Sequence, residues 1–221
     1  ISIFLISIIS LLLIAQPDIG QTLLVVFCWA VLIFTSGINI YILLAIFIAG
    51  ASLLAYLIIY VPKFDYIQGR IFSFFNRETG THNFQSDKAI ESITSGGFFG
   101  KGIGEGVLKN RVPEAHTDYI ISVISEEFGV VAIMLILLLF LILIYMVFKK
   151  ISFETNDKAK LILIGSISLI LMQATIHIGV NIRLFPTTGM TLPFLSYGGS
   201  SIISTSILAG IILNLTKRKI T

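Results

Sequence analysis

The chain has 221 residues, of which 56% are hydrophobic and only 12% charged, with a mean hydropathy of +0.97. Soluble domains carry about 25% charged residues, so the composition excludes an ordinary soluble fold and points to an integral membrane protein. The net charge of +3 does not argue for nucleic acid, because the basic residues fall largely between apolar runs, where membrane topology accounts for them. The single cysteine, Cys28, excludes an intrachain disulfide and a zinc module.

The sequence is apolar from its first residue through residue 15, with no initiator Met, basic region or small-residue cleavage site. It is therefore expected to start inside a transmembrane helix and to be a piece of a longer protein. A helix needs about 20 apolar residues to cross the hydrocarbon, and six runs approach or meet that length: 1–15, 22–35, 41–61, 128–148, 161–180 and 194–215. The second reaches it only with its flanks, 19–37. The expected fold is all-α: a polytopic transmembrane helix bundle of about six spans in one domain, with a large polar loop at 62–117.

Lys149, Lys150, Lys158 and Lys160 lie between the fourth and fifth runs, and Lys217, Arg218 and Lys219 follow the sixth. With six spans these two places share a side, and the positive-inside rule makes that side cytoplasmic. The opposite, extracytoplasmic face then receives the QPDIG turn at 16–20, segment 62–117 and the LFPTTGMTLP connection at 184–193.

Long polar connections are more often functional loops than idle ones. This one is charge-balanced, with seven Lys/Arg and, counting Asp118, seven Asp/Glu. Its SGGFFGKGIGEG stretch at 95–106 matches neither phosphate-binding glycine motif in register. Closely spaced glycines that let the backbone approach another surface are the better reading.

Ionisable groups at or inside spans are costly and usually face a bundle interior. If a helix starts near Thr117, with Thr117 as its cap, then Asp118, Ser122 and Glu126 share a face that descends from the membrane surface, Glu126 lying about 12 Å below Asp118. A carboxylate at a helix start is suited to act as a base toward a hydroxyl. Gln173, His177 and Asn181 recur every four residues and suit interhelical hydrogen bonds. Arg183, beyond them, is placed either for packing or to hold a phosphate. Ser196, Ser200 and Ser204 repeat as close-packing small residues, and serine-hydrolase chemistry is excluded because no nucleophile elbow is present.

Four blocks, QPDIGQTLL at 16–24, AIESITSGGFFGKGIGEGVLK at 89–109, VPEAHTDYIISVISEEFG at 112–129 and FPTTGMTLPFLSYGGSS at 185–201, resemble the SEDS family of polytopic glycosyltransferases, its cell-division branch more than its elongation branch. The resemblance implies ten helices in the whole protein, of which the last six are present, and polymerisation of lipid II into peptidoglycan glycan strands. It also implies that Asp118 is the essential acid and that a class B penicillin-binding protein and other divisome membrane proteins are partners. The site expected on this basis comprises Asp118 as general base, with Lys101, Lys109, Arg111 and Arg183 as pyrophosphate partners. His116 is expected to orient Asp118 or anchor the loop. Glu114, Glu126 and Ser196 complete the substrate-binding set, and a divalent cation, magnesium or manganese, would share the charge of the pyrophosphate. Two other functions fit the same residues: a lipid II flippase or transporter using the polar stripes as a path, and a non-catalytic divisome scaffold.

Overall fold

A computed structural model describes residues 2–75, 81–107 and 114–217, the side chains of residues 63 and 81–83 excepted. Among these residues the regular structure is entirely helical. The order is α1 (Ser2–Ala15), α2 (Ile19–Thr35), α3 (Ile40–Tyr60), a short 3-10 turn (Pro62–Phe64), α4 (Asp65–Phe75), α5 (Thr81–Gly96), α6 (Ile120–Phe153), α7 (Asp157–Asn181) and α8 (Gly199–Thr216).

Of the apolar helices, α3, α6, α7 and α8 are long enough to cross a membrane, while α1 and α2 are shorter, at 14 and 17 residues. The sixth apolar run does not begin a helix at residue 194: Pro193 and Phe194 form a turn, and α8 starts only at Gly199. Segment 62–117 is more ordered than a loop. It contains α4 and α5, and α5 packs along the start of α6, with Ala89 and Ser92 fully buried.

The caps follow local chemistry. Asp18 accepts from the Gln21 amide to start α2, Asn39 from Tyr41 to start α3, and Asn156 from Lys158 to start α7. Helix α6 departs from expectation. It begins at Ile120, with Tyr119 at the cap position and no side-chain capping bond. Thr117 does not cap it; the Thr117 hydroxyl donates to Glu114 Oε2 instead, at 3.0 Å.

Of the expected stripe, Ser122 and Glu126 lie on α6 while Asp118 stands in the turn before it, and beyond the stripe the helix breaks at Gly129, where φ is 78°. A break frees backbone groups that lipid cannot satisfy, and the glycine-rich strap following α5 satisfies them. The amides of Lys101 and Gly102 donate to the carbonyls of Glu126 and Glu127 at 2.9 and 3.0 Å, and the carbonyls of Gly97 and Phe98 accept from the amides of Val130 and Val131 at 3.0 and 3.3 Å. The two backbones approach so closely that a Cβ at Gly96 would lie 1.9 Å from the Ser125 carbonyl oxygen, and one at Gly100 2.1 Å from that of Glu127. Here the glycines serve close backbone approach, as the sequence suggests.

Helix α7 is the centre of the bundle. Half of its most apolar window is buried, against 6% for α3 and α6 and 11% for α8. It packs against α2, α6 and α8. At 1.5 Å per residue, α6 runs about 30 Å from Lys149 to Gly129, and α7 about 32 Å from Lys160 to Asn181. Both match the hydrocarbon thickness of about 30 Å, so each stretch is long enough to cross it with lysines at one end. An apolar cluster of Leu24, Ala89, Ala115, Tyr119, Val123, Ile176, Val180 and Met190 joins α2, α5, α6 and α7 around the turn that carries Asp118.

Candidate active site

Asp118 sits in a turn, residues 114–119, between the segment that follows α5 and the start of α6. The turn is pinned from the α7–α8 side at three successive carbonyls. His116 O accepts from the Tyr197 amide at 3.0 Å, Thr117 O from Ser196 Oγ at 2.7 Å, and Asp118 O from Asn181 Nδ2 at 3.0 Å. The Asp118 side chain is half-buried and faces Gly189, whose missing Cβ would stand 3.5 Å from Oδ2. Burial raises its proton affinity above the ordinary carboxylate range, the negative charge of Glu114 raises it further, and the Arg70 guanidinium works in the opposite direction.

The polar stripe of α7 seats the segment that faces this turn. Gln173 Nε2 donates to Thr191 O at 3.0 Å and to Ser201 Oγ at 3.1 Å. His177 Nδ1 lies 2.7 Å from Met190 O, an acceptor, so Nδ1 carries the proton. Gly20, in the QPDIG block, admits Met190 so closely that a Cβ there would be 2.7 Å from Met190 Cγ. The four sequence blocks thus meet in space: 16–24 against Met190, and 89–109 against the break in α6. Blocks 112–129 and 185–201 are joined through the pinned turn.

The expected site residues divide. Lys109 and Arg111 lie outside the described residues. Glu114 and His116 are exposed beside Asp118. Ser196 is 3% exposed, and its hydroxyl both donates to Thr117 O and accepts from the Leu192 amide at 2.8 Å, so it is committed to the protein backbone rather than to a ligand. Glu126 is fully buried; its carboxylate accepts from Ser92 Oγ at 3.1 Å, Val107 N at 3.0 Å and Lys101 Nζ at 3.3 Å. Both Glu126 and Lys101 therefore hold the strap, the lysine remaining about one-third exposed.

Arg183 forms an ion pair with Asp87 of α5. It also lines a polar cavity of about 10 Å³ together with Arg70, Ser73, Ser86 and Thr187. Arg70 is the residue that sequence reasoning passed over. It lies on α4, donates to Thr187 O at 3.2 Å and acts electrostatically on Asp118. Its only sequence signal was a basic residue on the polar segment, indistinguishable from six others. A separate apolar groove of about 300 Å³ lies between α6, at Ile136, Leu139, Phe140 and Leu143, and the turn of Pro193, Phe194 and Leu195.

Known proteins give this arrangement a context. A family model described as a cell cycle protein, FtsW/RodA/SpoVE, matches residues 1–220. The curated "Probable peptidoglycan glycosyltransferase FtsW" of Caulobacter vibrioides is 36% identical over 210 residues, which are 94% of this chain and 52% of that protein. The protein of the same description from Enterococcus hirae is 33% identical over 233 residues, covering 100% of this chain and 59% of its own. A solved chain reported under "Structural coordination of polymerization and crosslinking by a peptidoglycan synthase complex" superposes with a TM-score of 0.77 at 29% identity. The match covers 98% of this chain and 60% of that one. The rod shape determining protein RodA of Thermus thermophilus, in a variant form, gives a TM-score of 0.61 at 29% identity, with 97% of this chain and 54% of that one covered. The chain thus spans between half and three-fifths of the length of these relatives. A match from residue 1 to residue 220, with the four sequence blocks brought together around the Asp118 turn, makes this chain a member of the FtsW/RodA/SpoVE family of cell cycle proteins.

Proposed function

We propose that the protein of which this chain is part polymerises lipid II, a disaccharide linked to a polyprenyl tail through pyrophosphate, into the glycan strands of peptidoglycan during cell division, with Asp118 as general base. The observation that carries the reading is the placement of Asp118. Its backbone is bonded to Asn181, the last residue of the spanning-length helix α7, and the end of such a helix is where a lipid-linked pyrophosphate would lie. Relatives described as peptidoglycan glycosyltransferases support the substrate class.

In the reaction, the acceptor sugar hydroxyl attacks the anomeric carbon of the donor. The new glycosidic C–O bond forms as the bond to the pyrophosphate breaks, the hydroxyl proton passes to the Asp118 carboxylate, and the lipid pyrophosphate leaves with the electron pair. A raised proton affinity suits Asp118 to this task, since a base works best when its pKa approaches the ambient pH. Arg70 and Arg183, on the polar cavity, are the guanidinium groups among the described residues best placed to take up the leaving charge, and Lys101 stands at the strap. Among the described residues no three His, Cys, Asp or Glu side chains cluster as metal ligands; a divalent cation would be held chiefly by the pyrophosphate oxygens, supplying charge neutralisation. The apolar groove beside Pro193 offers a bed for a polyprenyl tail.

In this reading the partner is a class B penicillin-binding protein, which would crosslink the strands. A structural relative of this chain comes from a complex that coordinates polymerisation with crosslinking. The protein would lie in the bacterial cytoplasmic membrane with segment 62–117 outside.

The test is reconstitution of the full-length protein with lipid II and separation of products on a gel. Asp118→Asn is expected to abolish glycan ladders while leaving membrane insertion unchanged. Ladders at the wild-type level would overturn the assignment, and movement of labelled lipid without polymer would favour a flippase.

A further inference from the structure

The grip on the Asp118 turn is built differently from ordinary loop packing. The three bonds fall on three consecutive carbonyls, 116, 117 and 118, and two of the donors are side chains with almost no exposure, Asn181 at 0% and Ser196 at 3%. Each of these donors is itself tied from behind. Asn181 Nδ2 also donates to the carbonyl of His177 at 2.9 Å, within its own helix. Ser196 Oγ also accepts from the Leu192 amide at 2.8 Å, in the segment that His177 and Gln173 fasten to α7. A side-chain group committed to two hydrogen bonds at once, as Asn181 Nδ2 and Ser196 Oγ are, loses both if it changes rotamer. The position of Asp118 is therefore referred, through two bonds, to the most buried helix of the bundle.

We propose that Asn181 and Ser196 are positioning residues for the reaction: they hold the peptide carbonyls on both sides of the Asp118 amide, and so fix the carboxylate relative to the two bound substrates without touching either. This rests on the reading of Asp118 as the base. General-base efficiency depends on near-attack geometry, and a displacement of about 1 Å can cost about a hundredfold in rate.

The groups that bear on the Asp118 proton are Glu114 in its own turn and Arg70 on α4, and Tyr119, next to it in the chain, interacts with its charge. None of these is altered by replacing Asn181 or Ser196. A shift of the pH profile in such variants therefore reports the placement of Asp118 itself.

The experiment uses full-length protein in lipid with lipid II as substrate, and compares Ser196→Ala, Ser196→Thr, Asn181→Gln and Asp118→Asn. Ser196→Ala and Asn181→Gln are expected to lower kcat by 10- to 100-fold with KM within about twofold. The acidic limb of the rate profile should move to lower pH, because a loosened turn gives the carboxylate more water. Ser196→Thr, which keeps the hydroxyl, should recover activity to within about threefold of wild type. Asn181→Gln keeps the amide but displaces it by a methylene, so it carries the test if Ser196→Ala fails to give a monodisperse protein.

Wild-type kcat and an unmoved acidic limb in both variants, with Asp118→Asn inactive, would overturn the positioning role alone. A loss confined to KM would do the same. Full activity of Asp118→Asn would instead remove the base on which the proposal stands.

Discussion

Asp118 is subject to two charges of opposite effect that mutation can separate. Glu114 raises its proton affinity and Arg70 lowers it, on top of the larger effect of burial. A base must be ionised to act, so activity is lost as pH falls through the Asp118 pKa. Glu114→Gln removes the raising charge, and the acidic limb of the polymerisation profile should move to lower pH. Arg70→Met removes the lowering charge, and the limb should move to higher pH. Opposite displacements are the expected result; a common direction would mean that another group governs the profile. Asp118 itself was legible from sequence through its block, whereas Arg70 was not. Its action depends on α4 folding back against residues 185–187, a long-range contact with no counterpart in local spacing.

The strap and the broken helix form the second scale. Gly129 has φ 78°, and a Cβ there would lie 2.2 Å from the Phe98 carbonyl oxygen, so Gly129→Ala meets both backbone strain and a clash with main-chain atoms. These two costs together are on the order of 3 kcal/mol, and the thermal midpoint of the detergent-solubilised protein should fall by several degrees. Glu126→Gln should be milder, at about 1–3 kcal/mol, because an amide oxygen can still accept from Ser92 or Val107 while Lys101 loses its charge partner. A larger loss for Glu126→Gln than for Gly129→Ala would contradict this ordering. The sequence disclosed the glycines and the buried acid but not their relation. Repeat spacing predicted a helix through Glu126, which the structure has, but the break three residues on at Gly129 became visible only once the strap lay beside it. The true start of α8 was hidden for a related reason: Phe194 and Leu195 are apolar but belong to a turn that carries Ser196 into contact with Thr117.

For the whole molecule, composition and the lengths of apolar runs were enough to identify a polytopic helical protein, because lipid leaves few other solutions. What they left undetermined was the internal order of segment 62–117, since α5 is polar and gains its stability from packing on α6 rather than from a strong periodicity of its own. The lysine distribution makes a topological prediction that labelling can check. In a full-length protein freed of its native cysteines, Cys28 included, a cysteine at Glu105 should react with an impermeant maleimide added outside intact cells, and one at Lys158 only after permeabilisation; the reverse pattern would invert the assigned orientation. A mechanical consequence follows from the way α7 is used. Gln173, His177 and Asn181 each fasten a different part of the active-site scaffold to the same helix. Bilayers of different thickness change the tilt of a span, and a tilt carries all three attachment points, with everything hung from them, as one body. Rotation about the long axis is another matter. One residue inserted into α7 below Gln173 would turn the stripe by about 100° and release all three attachments at once. The site is thus insulated from variation in membrane thickness yet intolerant of a change in the phase of a single helix.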